Sequence, residues 1–149
     1  MTATGHAVIG AVIAAKITNP LLAIPIALIS HYAADIFPHW DAGTNSNKKT
    51  KQQLTKEAII DVLVGFALAY GILFWLFPQT NLFYAFFIII IAQLPDWLTM
   101  PYYFFNIKSK FFVWNYKLQK RFNSKLDKPW GIINQVGILA LLVYLAKIF

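Results

Sequence analysis

Five apolar stretches of helical length, separated by short polar breaks, occupy most of this chain, and no other feature constrains its fold as strongly. They read as about Thr4–Ile17, Pro20–Phe37, Lys56–Phe77, Leu82–Leu98 and Pro129–Phe149. A soluble chain of 149 residues has too little interior to hide them: 58% of its residues are hydrophobic and 13% charged, where soluble domains carry about 25% charged residues. Disorder and coiled coil are excluded on the same ground, and a disulfide scaffold by the absence of cysteine. The expected fold class is all-α: one membrane-embedded helical bundle over residues 1–149, with about five transmembrane or membrane-embedded helices.

The breaks have local causes. Thr18-Asn19-Pro20 separates the first two helices, Pro20 suiting a first helical turn and Pro25 a kink. Both helices are short for a bilayer that needs ~20 residues, which suggests a hairpin shielded by its neighbours. Residues 38–55 form a polar loop, Pro78 ends the third helix, and Pro95 lies near the end of the fourth. Met1 to His6 has no Lys or Arg, and no A-x-A-type site follows, so the opening reads as mature sequence rather than a secretory signal.

The segment 99–128 is basic and aromatic. Phe111, Trp114, Leu118 and Phe122 recur at helical spacing, with Lys110, Lys117, Lys120 and Arg121 beside that stripe, the pattern of an in-plane interfacial helix. The chain carries 13 Lys+Arg against 6 Asp+Glu. In a membrane protein this excess reads as topology-setting loops that touch anionic lipid head groups through Lys108–Lys128, not as a nucleic-acid surface. Eleven of the thirteen fall in or beside two loops that five crossings place on one side; only Lys16 and Lys147 lie opposite. The positive-inside rule then puts those loops and the N-terminus in the cytoplasm, at a bacterial-type inner (plasma) membrane.

That topology, drawn from Lys and Arg alone, gathers the other polar residues. His6 opens helix one. His31, Asp35, His39 and Asp41 lie at the end of helix two and just beyond. Glu57 and Asp61 open helix three, and Asp96 closes helix four. All three histidines and most of the acids therefore share one level, and the other end is nearly bare. His31 and Asp35 are four apart and share a helical face, as do Glu57 and Asp61. Imidazole with carboxylate suits a divalent metal, zinc first, then manganese or iron. Each residue also has a plain structural reading: a helix cap for Glu57, a hydrogen-bonded pair for His31 and Asp35, an exposed loop for His39 and Asp41. Asn134 and Gln135 read as structural.

The strings T-G-H-A-V-I-G at Thr4 and S-H-Y-A-A-D-I-F-P-H-W-D at Ser30 resemble YdjM-type bacterial inner-membrane proteins, with L-P-D-W at Leu94 as a further anchor. That family is described as predicted membrane-bound metal-dependent hydrolases. The His31-x-x-x-Asp35 element is also similar to a zinc-ligand element of soluble zinc-dependent phospholipase C enzymes. The resemblance implies His6, His31, Asp35, His39 and Asp96 as metal ligands.

The function expected from all of this is hydrolysis of a phosphoester in a lipid or lipid-linked substrate at the cytoplasmic face. The metal would be held by His6, His31, Asp35 and His39 with Asp61 or Asp96, and Glu57 or Asp41 would serve as general base. Two other classes stay open: a proton or ion pathway through buried acids and histidines, and a non-catalytic membrane scaffold with a structural metal or polar network.

Overall fold

A helix that meets lipid needs one apolar face, but the first helix of this chain is apolar or small all round, which suits the middle of a bundle. The computed structural model, covering residues 1–149, places it there. Its six helices are α1 (Ala3–Lys16), α2 (Pro20–Ile36), α3 (Lys51–Leu76), α4 (Leu82–Phe105), α5 (Lys110–Phe122) and α6 (Trp130–Ile148). Helix α1 is buried from Gly5 through Ala14, and α2, α3, α4 and α6 all pack on it. Helices α3, α4 and α6 are long and apolar enough to cross a membrane. At 1.5 Å per residue the 14 residues of α1 reach only about 21 Å, so its polar amino end lies inside the bundle.

Small residues make this burial possible. A Cβ at Gly10 would stand 2.8 Å from Ile89 Cα of α4, and one at Gly65 of α3 would stand 2.9 Å from Thr4 Cα. Ala7, Ala11, Ala85 and Ala92 are fully buried around the same axis. Where lipid offers no hydrophobic drive to association, such close backbone approach supplies the packing.

Two helix boundaries depart from the sequence reading. Helix α3 starts at Lys51, because Thr50 and Gln53 form a reciprocal capping box that the string T-x-x-Q encodes. Helix α4 continues through Pro95 and Pro101 to Phe105, ending at Asn106 with φ 55°. Each proline costs one helical hydrogen bond, and a membrane helix can absorb that loss.

Antiparallel order gives the bundle a polar end and a bare end. At the bare end the Tyr84 hydroxyl donates to the Ile17 carbonyl, and Lys147 to the Leu76 carbonyl. At the polar end Thr2 Oγ1 donates to Gln135 of α6, and Asn134 donates to the Pro38 carbonyl. The backbone at His39 pairs with residues 124–126, binding the loop after α2 to the strand-like linker after α5.

Candidate metal centre

Helices α1, α2 and α4 each bring a polar side chain to the polar end of the bundle, and these meet. Asp35 is the hub, 1% exposed. His6 Nε2 lies 3.3 Å from Asp35 Oδ1, His31 Nε2 3.5 Å from Oδ2, and His39 Nε2 3.8 Å from Oδ1. Asp96 Oδ1 lies 3.7 Å from His31 Nε2. The His6 and His31 rings stack at 3.8 Å. The Met1 amino group also donates to Asp35.

These spacings have a chemical meaning. Donors bound at about 2.1 Å to one tetrahedral ion stand roughly 3.4 Å apart. Ordinary hydrogen bonds would bring the same atoms to about 2.9 Å. His6, His31 and Asp96 form a group whose ligand atoms all lie within 4.8 Å of one another, and such a group could hold a metal ion.

Tautomers point the same way. His31 Nδ1 lies 2.8 Å from the Ala92 carbonyl, and His39 Nδ1 lies 2.7 Å from the Phe37 carbonyl. A carbonyl only accepts, so both Nδ1 atoms carry the proton and both Nε2 lone pairs face the cluster. Backbone carbonyls orient metal-bound imidazoles in this way. Burial pushes the His39 imidazole down to about 4, which keeps it neutral at neutral pH. His39 Nε2 and both ring nitrogens of His6 are buried without a hydrogen-bond partner. Buried polar atoms left unpaired are costly, and a cation would satisfy His39 Nε2 and one of the two His6 nitrogens, the other being an N–H donor.

Gln119 of α5 was not legible as a member of this site. Its amide nitrogen lies 3.1 Å from His31 Nε2, and it also donates to Asp96. The signal that could have found it is the pair Asn115 and Gln119, four apart on an otherwise amphipathic helix. They form its buried face, while Phe111 and Trp114 point outward at 54% and 59% exposure. Gln93 of α4 is fully buried as well, with its amide nitrogen unpartnered.

The remaining acids divide. Asp41 lies 4.0 Å from His39 Nε2 and is held by Lys125 at 3.1 Å and Thr44 at 2.8 Å. Burial opposes its ionisation, but the Lys125 ammonium and the Thr44 hydroxyl help to outweigh it and hold the carboxyl below its usual range. Asp61 does not join the cluster. It accepts from Ala3 N at 2.7 Å, Thr4 N at 3.1 Å and Thr4 Oγ1 at 2.7 Å, so its carboxylate caps the amino end of α1. Glu57 is also elsewhere, paired with Lys49 at 2.7 Å and half-exposed. An exposed pair of this kind contributes about 0–1 kcal/mol. Glu57→Gln is therefore expected to leave thermal stability, metal content and any hydrolysis close to the parent's; a large loss of activity in a folded variant would restore Glu57 to the site.

No family model, curated protein or solved structure matches this chain.

Proposed function

We propose that the protein is a membrane-embedded metal-dependent hydrolase whose centre is built by His6, His31, Asp35, His39 and Asp96. The observation that carries this reading is the convergence of imidazole Nε2 lone pairs on two carboxylates, with the opposite ring nitrogens of His31 and His39 tied to backbone carbonyls. The donor set is nitrogen and oxygen with no thiolate, which favours zinc over softer-ligand chemistry and leaves manganese and iron as the other metals of this type. Bound there, the metal would supply hydroxide at neutral pH by lowering the pKa of water to about 7.

The chain's own residues then have distinct tasks. The Ala92 and Phe37 carbonyls hold the imidazoles in register. Gln119 would release His31 and could turn its amide oxygen toward the cation. Asp41, ionised beside Lys125 and lining the adjoining cavity, is the carboxylate placed to accept a proton. The substrate class is a phosphoester of a lipid or lipid-linked molecule, in keeping with a site inside a membrane bundle and with the resemblance of the first forty residues to YdjM-type proteins. The exposed Phe111 and Trp114, with Lys117, Lys120 and Arg121 nearby, suit α5 to an anionic membrane surface.

The test is elemental analysis of protein purified without added metal, followed by assay on phosphoester substrates. Zinc, manganese or iron at about one to two per chain with hydrolysis supports the reading; metal without hydrolysis favours a structural centre; no metal ends it. The proposed cytoplasmic placement of the polar end has its own check. Single cysteines at Lys49 and at Gln79 are expected to label from opposite sides of inner-membrane vesicles, and labelling from one side would overturn the topology.

A further inference from the structure

Helices α3 and α4 run on past the cluster toward the loops. Ten residues of α3 precede Asp61 and nine of α4 follow Asp96, a rise of about 14–15 Å. These helix ends and α5 wall a cavity of about 540 Å³. The loop residues Ala42, Gly43 and Ser46 also line it, so it is the approach to the cluster from the loop side. None of His6, His31 and His39 lines it. The cluster meets the cavity at Met1, Asp41, Asp96 and Gln119, and Gln119 touches the cavity and His31 at once.

The Gln119 amide serves the lone pairs that a cation would use. Its NH2 group has two protons and meets two acceptors. His31 Nδ1 carries its own proton toward the Ala92 carbonyl, so His31 Nε2 accepts. Gln119 Nε2 lies 3.1 Å from that atom and also donates to Asp96 Oδ1. His31 and Asp96, with His6, are the residues whose ligand atoms gather within 4.8 Å. An imidazole Nε2 has a single lone pair, so it cannot accept from Gln119 and bind an ion at once. His6, His31, Asp35 and Asp96 already offer four donors. A catalytic zinc takes three and keeps a position for water, so the centre needs no further donor from α5. Helix α5 is otherwise lightly held. Of its 13 residues only Asn115 and Gln119 are buried, and the Asn115 amide donates within the helix, to the Phe111 carbonyl. Gln119 is the one α5 side chain hydrogen-bonded to another helix. Beyond it, Tyr116 packs on Tyr102 and Phe122 on Tyr32.

We propose that Gln119 is the stopper of the metal centre. Its amide keeps the ion's place at His31 and Asp96 while the centre is empty; a bound cation expels it, loosens α5 and opens the cluster to the cavity. This rests on the metal-centre reading above and adds to it a coupling: the ion and the docked amide exclude each other at one lone pair. Two consequences follow from that exclusion. Removing the amide strengthens metal binding, because the ion no longer displaces a hydrogen-bonded group. Adding metal frees α5, whereas an ion that merely braced the bundle would tighten it.

The experiment uses the full chain in neutral detergent, freed of metal by a chelator. Zinc affinity is measured by competition with a zinc-binding dye, and backbone hydrogen exchange of α5 is followed with and without zinc. Gln119→Ala is expected to bind zinc at least about tenfold tighter than the parent, since it gives up no hydrogen bond to a charged acceptor. In the parent, zinc should speed exchange across residues 113–122 about tenfold, by the same loss. In Gln119→Ala these amides should exchange fast without zinc and not respond to it. Gln119→Met, similar in length but without a donor, repeats both measurements if the alanine variant does not fold. Equal zinc affinity in the parent and a folded variant would overturn the stopper and leave the metal centre standing. Weaker zinc in the variant would make Gln119 a ligand and overturn it too, as would slower α5 exchange when the parent binds zinc. Zinc bound by the variant but not by the parent would support the stopper. No zinc in either would end the metal reading and the stopper together.

Discussion

His31→Ala is expected to strip the centre of its metal and to abolish hydrolysis with it. His31 is fully buried, and its Nε2 approaches both Asp35 and Asp96. It is the one imidazole placed between the two carboxylates, so its loss removes a nitrogen donor and the link between them. Even residues that only orient a metal ligand change affinity by about 10–100-fold, and a direct donor should cost at least as much. Metal content after dialysis is therefore expected to fall below about a tenth of the parent's, a bound set by that comparison. Asp35→Ala should do the same, leaving three imidazoles without the carboxylate they share. A purely structural pair would behave otherwise. The stranded Gln119 donor would cost on the order of 1–3 kcal/mol of stability, while metal and activity per folded molecule would not move. Lys117→Ala serves as the control, since an exposed ammonium offers no lone pair. A folded His31→Ala protein with full metal and full activity would end the metalloenzyme reading.

The second large effect is expected at Asp61, for a different reason. Its carboxylate takes three hydrogen bonds from the first turn of the central helix, two from backbone N–H groups and one from the Thr4 hydroxyl. The amino end of a helix has no internal acceptors for its first N–H groups. Within a bundle there is little water to replace them. Asp61→Ala should cost roughly 3 kcal/mol or more, the sum of several bonds to a charged acceptor less partial recovery by neighbours. Because His6 lies in the turn that Asp61 holds, metal content should fall together with melting temperature. Asp61→Asn separates capping from ligation. The amide keeps one acceptor oxygen, so a cap predicts an intermediate melting temperature and normal metal per folded molecule. Normal stability with lost metal would instead make Asp61 a ligand.

The contrast between Glu57 and Asp61 shows where sequence reasoning stopped. Their spacing matches that of His31 and Asp35, and periodicity alone treats the two pairs alike. Four residues are a rise of about 6 Å along α3, and that rise decides their fates. Asp61 is level with the amino end of α1, whereas Glu57 lies one turn beyond it, beside the loop lysine Lys49. Nothing in the string K-E-A-I-I-D records the depth at which α1 begins. Gln119 was hidden for a related reason. Phe111 and Trp114 at the start of the α5 stripe face outward, and its two buried residues, Asn115 and Gln119, are amides that look like ordinary polar surface in the sequence. His31, Asp35 and Asp96 were legible because ionisable side chains one turn inside an apolar segment need partners, and only one end of the bundle offered any.

Hydropathy and the prolines determined that this chain is a helical membrane bundle, and the alternation of its crossings determined which helix ends lie together. Both are local properties, summed along the chain, and they hold whichever helices touch. Which side chains share the centre depended on α1 being the middle helix, and that was decided by backbone contacts at Gly10 and Gly65 that no periodicity encodes. Only with α1 in that place does His6 reach Asp35 while Asp61 is drawn off to cap the helix that carries it. Depth and rotation of one buried helix, set by close packing, separated a member of the polar cluster from a cap.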